Sequence, residues 1–157
     1  MRRVWRAARP GGLLWRALGV FAPIVVLAAG CWSGASRPKT VPVYGKVTYC
    51  GEPVTKGKVM FQPVKPAEGL PVRPATGELR SDGSFEMSSF ESDDGVVPGQ
   101  YRVSIMSLLS GPTPDNPNAP KVWGVPQKYA NPLQSGLQAT VPVDAEGRLE
   151  MNFDLQD

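Results

Sequence analysis

The side chains able to do chemistry are few, and their types exclude more than they admit. The 157-residue chain contains no histidine. That removes histidine-based nucleophile triads, histidine-bearing zinc sites and the usual base near neutral pH. Glu91, Asp93 and Asp94 crowd into one polar loop. A hard cation such as calcium takes several oxygen ligands. Three acids without a ligand-spaced motif read as a solvated turn, so no metal and no cofactor is expected. No acid sits in a context that would raise its pKa for glycoside cleavage. Two cysteines are present, Cys31 and Cys50. Trp123 and Tyr129 lie with Lys121 in a proline-rich stretch. They form a candidate binding loop for an envelope protein or polysaccharide, since aromatic side chains supply much interface energy. The alternative is that both fold back and cap the end of the domain.

Cys31 is placed by what precedes it. Arg2, Arg3, Arg6, Arg9 and Arg16 open the chain, and the uncharged run Ala17–Ala29 follows. A basic start, a short apolar run and a small-residue exit are the three parts of a secretory signal. The run is 13 residues long, against the ~20 a spanning helix needs, and Pro23 disfavours a long regular helix in its middle. An ordinary signal with a small-residue cleavage site and an incidental cysteine would have the same outline. The stretch Leu27-Ala28-Ala29-Gly30-Cys31 resembles the lipobox of bacterial lipoproteins, with Ala28 standing where that motif carries leucine. The resemblance implies that residues 1–30 are removed, that the Cys31 thiol is the lipid attachment site, and that the chain is exported and anchored to a bacterial membrane. Trp32 rather than aspartate follows the cysteine. The expected location is therefore the outer membrane, on its periplasmic or surface side.

Charge changes sign once that segment is set aside. Five of the 17 basic residues and none of the 14 acids fall within the first 30 positions. The remaining 127 residues carry 12 basic against 14 acidic groups, a formal −2. No nucleic-acid footprint remains. This length suits one domain with one core. With Cys31 acylated, Cys50 has no partner in its own chain. It reads as an intermolecular disulfide or reactive thiol, or as a plain turn residue before Gly51.

Residues 31–40 are small, polar and basic, and read as a flexible tether with too little apolar surface to fold alone. Alternation then begins. Val41, Val43, Gly45, Val47 and Tyr49 share a face, which is the period of a half-buried strand. Cys50-Gly51-Glu52-Pro53 supplies a turn, and Val59 and Phe61 mark the next strand. An irregular connection is expected over 63–74, where four prolines fall. A third strand is expected at 75–80. Ser81-Asp82-Gly83 signals a hairpin turn, followed by Phe85 and Met87. Tyr101, Val103 and Ile105 alternate in a further strand. The stretch 111–135 carries six prolines, and a connection this long is often functional or disordered. Leu137, Ala139, Val141 and Val143 form a sixth strand. Leu149, Met151, Phe153 and Leu155 form a seventh, with the clearest pattern in the chain.

Short strands, turn signals and no helical period predict an all-β fold, a seven-stranded antiparallel immunoglobulin-like sandwich. The run from Val43 to Val54 with Gly57-Lys58-Val59-Met60-Phe61, the run Leu79–Phe85, and Asp94–Val103 resemble carboxypeptidase-regulatory-like domains. Lys128–Pro132 and Ser135-Gly136-Leu137 resemble the small planctomycete-type lipoproteins that carry this domain. The resemblance spans 41–157. It implies a transthyretin-like (prealbumin-like) sandwich serving as a structural or binding module without catalysis. An accessory subunit of a larger envelope complex is the alternative, and a histidine-free hydrolase comes last. The catalytic histidines and the C-terminal motif of transthyretin-like hydrolases are missing from a chain that ends Phe153-Asp154-Leu155-Gln156-Asp157.

Overall fold

The computed structural model describes residues 37–157. The signal segment, Cys31 and most of the tether lie outside them. Strand β1 (Val43–Tyr49) alternates as its sequence does, with Val43, Gly45 and Val47 buried and Lys46 exposed. Cys50 and Gly51 then adopt φ of 51° and 84°. Tyr49 pairs with Glu52 of β2 (Glu52–Pro53) across them. Positive φ at both central residues gives a tight turn whose twist suits the strands it joins.

β3 (Lys58–Pro66) continues three residues past Pro63, where an irregular connection was expected. Its neighbour β4 (Ala75–Glu78) ends opposite Phe61. Pro63 and Pro66 therefore fall where β3 has a partner on one side only, which a residue without an N–H tolerates. The Ser81-Asp82-Gly83 turn forms as expected: the Gly83 N–H donates to the Arg80 carbonyl at 2.9 Å and the Arg80 N–H to the Ser84 carbonyl at 2.8 Å, with Gly83 at a φ of 78°. The Asp82 carboxylate accepts the Ser84 N–H at 3.0 Å and its hydroxyl at 2.6 Å. Those bonds, the hydroxyl first, hold Asp82 below its ordinary pKa. β5 (Ser84–Glu86) then takes its ladder from β1, while an isolated antiparallel bridge, Thr76–Ser88, links back to β4. The chain changes sheets here, and Gly83 lets it: a Cβ at that position would stand 2.7 Å from the Val47 carbonyl oxygen.

β6 (Gly99–Met106) runs antiparallel to β3. β7 (Leu108–Ser110) and β8 (Val122–Trp123) pair as a separate two-stranded ribbon. A 3-10 turn (Gln127–Ala130) leads to β9 (Leu137–Val141), which pairs with β6. β10 (Leu149–Glu150) and β11 (Phe153–Leu155) close the chain beside β1. One sheet is thus centred on β1, and the other runs β4-β3-β6-β9.

The fold is all-β with several antiparallel pairings. Four expectations are corrected. Eleven short strands stand among the described residues in place of seven. β10 and β11 run parallel to β1, so the first sheet is not wholly antiparallel. The expected last strand is split at Met151–Asn152, and β9 stops at Val141, leaving Val143 65% exposed. No helix among the described residues is long and apolar enough to cross a membrane.

Both sheets contribute to one buried cluster. Phe61 of β3 meets Phe153 of β11 edge-on at 6.2 Å, and Phe85 of β5 stacks on Phe153 at 6.1 Å. These separations suit attractive ring pairs. Tyr101 sits beside Phe61 at 5.7 Å and donates its hydroxyl to the Val97 carbonyl. Burial raises its pKa. Tyr101→Phe is expected to cost about 1–3 kcal/mol by leaving a buried acceptor without that donor. Urea unfolding would show a lower midpoint at unchanged slope. An unchanged midpoint would show that the Val97 carbonyl does not depend on this hydroxyl.

Candidate functional site

The two aromatic candidates in the proline-rich stretch have different surroundings. Tyr129 lies on the 3-10 turn, is only 7% exposed and belongs to the core cluster. Its hydroxyl donates to the Gln156 carbonyl at 2.7 Å and accepts the Gln156 N–H at 3.1 Å. It clips the chain end to the domain and has little surface left for a partner. Trp123 is half-buried on β8, opposite Leu108 of β7. Leu109 and Val122 beside it are each 46% exposed.

The ribbon is held at its base. The Gly124 N–H donates to the Ser107 carbonyl at 2.8 Å, and the Ser107 hydroxyl donates to the Lys56 carbonyl at 2.6 Å. Lys56 Nζ donates to the Leu109 carbonyl at 3.1 Å. A Cβ on Gly124 would lie 2.5 Å from Ser107 Oγ, so the close approach of ribbon to base needs a glycine. Tyr49, Pro53, Val54, Ser107 and Leu109 line a shallow hollow of about 200 Å³ next to the ribbon. The Tyr49 hydroxyl is bound to Asp157, which pushes its pKa up to about 12. The structure therefore places Trp123 on the ribbon, across from Leu108, and not with Tyr129. Leu109 was not singled out in the sequence, because nothing local shows that two strands separated by eleven residues pair at the domain's end.

The acidic loop has a local explanation. The Asp94 carboxylate accepts the N–H groups of Ser89 at 2.7 Å, Phe90 at 3.1 Å and Glu91 at 3.1 Å. The Asp93 N–H donates to Ser88 Oγ, and Glu91 pairs with Arg37. These groups fix the loop, and no cluster of three or more metal-ligating side chains occurs among the described residues. Cys50 is exposed at the tip of the β1–β2 turn. Cys31, the lipid-attachment candidate, lies outside the described residues.

No family model matches the chain, and no curated protein matches it. Among solved structures, the chain is similar to a 9R-lipoxygenase from Cyanothece PCC8801, at 10% identity and a TM-score of 0.39. The match covers 78% of this chain and 17% of that one.

Proposed function

We propose that this chain is an exported lipoprotein, anchored through Cys31, whose domain is an immunoglobulin-like, transthyretin-like sandwich with a binding or structural role in the cell envelope and no catalysis of its own. The anchor reading rests on the signal-like first 30 residues and the cysteine behind Ala-Ala-Gly. The sandwich reading is supported by two sheets sharing one core and by the Tyr101 hydroxyl bound to a carbonyl four residues upstream. A corner of that kind recurs in immunoglobulin-like sandwiches. The non-catalytic reading is supported by a chain without histidine whose best-placed carboxylate, Asp94, is engaged by three backbone N–H groups.

The observation that carries a binding role is the β7–β8 ribbon. It presents Leu109, Val122 and part of Trp123 to solvent on a base fixed by Ser107. Trp123→Ala is expected to abolish cross-linking of the protein to its envelope partner in the host while lowering the melting temperature by less than about 4 °C, the equivalent of about 1 kcal/mol. A fall of ~10 °C or more would make Trp123 a packing residue. Undiminished cross-linking would remove the ribbon from the interface.

A further inference from the structure

Thr76, Met60 and Ser104 lie in one row across β4, β3 and β6, because Met60 is the register partner of both. Side chains alternate along a strand, and the flanking Val59 and Phe61 point into the core at 0% exposure. The row therefore faces away from the core. Ser104 nevertheless is only 2% exposed. Pro132 of the proline-rich stretch stands against it, and that stretch is tied down where the Ser135 hydroxyl donates to the Val103 carbonyl. Pro74 approaches from the other side. Between them is an open cavity of about 240 Å³, lined by Met60, Gln62, Pro74, Thr76, Ser104 and Pro132. The Ser104 hydroxyl makes no side-chain hydrogen bond among the described residues, although every fully enclosed side-chain nitrogen or oxygen among them has a partner. It opens into this cavity.

The geometry points to a binding pocket for a single phenolic ring, supplied by a tyrosine side chain of a partner polypeptide. A cavity of roughly 150 Å³ already takes a benzene ring, so one ring fits. Two proline faces and a methionine thioether make good walls for an aromatic ring. Ser104 at the floor and the Gln62 and Thr76 side chains give a ring hydroxyl its hydrogen bonds. A pyranose, with hydroxyls all round, would leave most of them facing proline and methionine. Free small ligands are usually buried over roughly 70–90% of their surface. This pocket is an open hollow on the outside of a sheet, which suits a side chain hanging from a larger body. The inference extends the binding-module reading and does not involve the anchor, so the two fail separately.

The test is a titration of the full chain, with methyl-labelled methionine NMR reading Met60, one of five methionines. The probes are the blocked tripeptides Gly-Tyr-Gly, Gly-Phe-Gly and Gly-Ala-Gly, with p-cresol as a free phenol. The tyrosine peptide is expected to shift the Met60 methyl saturably, the phenylalanine peptide to bind roughly fivefold more weakly, and the alanine peptide to leave it unmoved. Ser104→Ala is expected to narrow the gap between the tyrosine and phenylalanine peptides by weakening only the former. The comparison of peptides on the wild-type protein decides the matter even if that variant does not fold. A static Met60 methyl, or equal affinity for the tyrosine and phenylalanine peptides, overturns the pocket. Tighter binding of p-cresol than of the tyrosine peptide overturns the polypeptide as its source.

Discussion

Gly45→Ala is expected to cost on the order of 3–5 kcal/mol, the upper range for a single substitution. Gly45 has an ordinary strand backbone, so the cost is not one of φ. A Cβ there would lie 1.8 Å from the Met151 carbonyl oxygen, 2.6 Å from its carbonyl carbon and 3.1 Å from the Phe85 ring. The first two are backbone atoms and cannot rotate away. Met151 is held in place by its own N–H, which donates to the Tyr44 carbonyl at 2.8 Å. Asn152 Oδ1 accepts the Lys46 N–H at 2.8 Å on the other side. Relieving the clash means moving β1, the centre of its sheet, away from the chain end. Total stabilities of about 5–15 kcal/mol make such a loss severe. The melting temperature should fall by more than about 10 °C. Gly69→Ala is the control: nothing lies within 4 Å of its added Cβ, and its φ of +76° costs only the left-handed penalty of about 1–2 kcal/mol. Equal losses for the two variants would show that the Met151 carbonyl does not occupy this space.

The other large effect concerns location. Cys31→Ser is expected to move the protein from the membrane fraction to the soluble fraction of the host. Each buried methylene contributes about 0.8 kcal/mol, so two or more acyl chains hold a protein almost irreversibly where a single one does not. Serine offers no thiol for the lipid. The variant should keep its fold, because the cluster that holds the domain begins at Val41. Fractionation with immunodetection reads the outcome. Retention of the variant in a carbonate-washed membrane pellet would remove the lipid from the explanation.

The same split at Met151 shows what a sequence pattern carries. Leu149, Met151, Phe153 and Leu155 alternate without a break, and alternation reports which side of the chain faces the core. It says nothing about which N–H finds which carbonyl. The interruption is written at Gly45, over 100 positions earlier, and no local signal links the two. β1, β3 and β6 were legible because their inward residues are apolar and their outward ones polar. The change of sheet after Asp82-Gly83 was not: the turn signal fixes the reversal, while the partner of the next strand depends on Val47, whose N–H donates to the Gly83 carbonyl. Val143 continues the period of β9 into solvent, past the end of its partner β6 at Gly99. Parallel pairing of the chain end with β1 is a long-range choice with no spacing signature.

Around the candidate sites the same limit holds. Trp123 and Tyr129 stood out by type, yet their roles separate on a contact with Gln156 that only the fold makes. Ser104 gave no signal. At a polar position of an alternating strand it reads as solvent-facing, and only the distant Pro132 buries it. The acidic loop reads as a turn from sequence, and the Asp94 bonds supply the reason.

Lipid at Cys31 is the proposed membrane anchor. The most direct measurement is the intact mass of the protein extracted from membranes of its native host. The expected result is a chain beginning at Cys31 and carrying two or three acyl chains, with Cys50 as its lone free thiol. A lipid-free mass with cleavage near residue 30 would contradict it and make the protein a soluble exported one. Cys31 and Cys50 would then be free to pair, and the domain would stand as described.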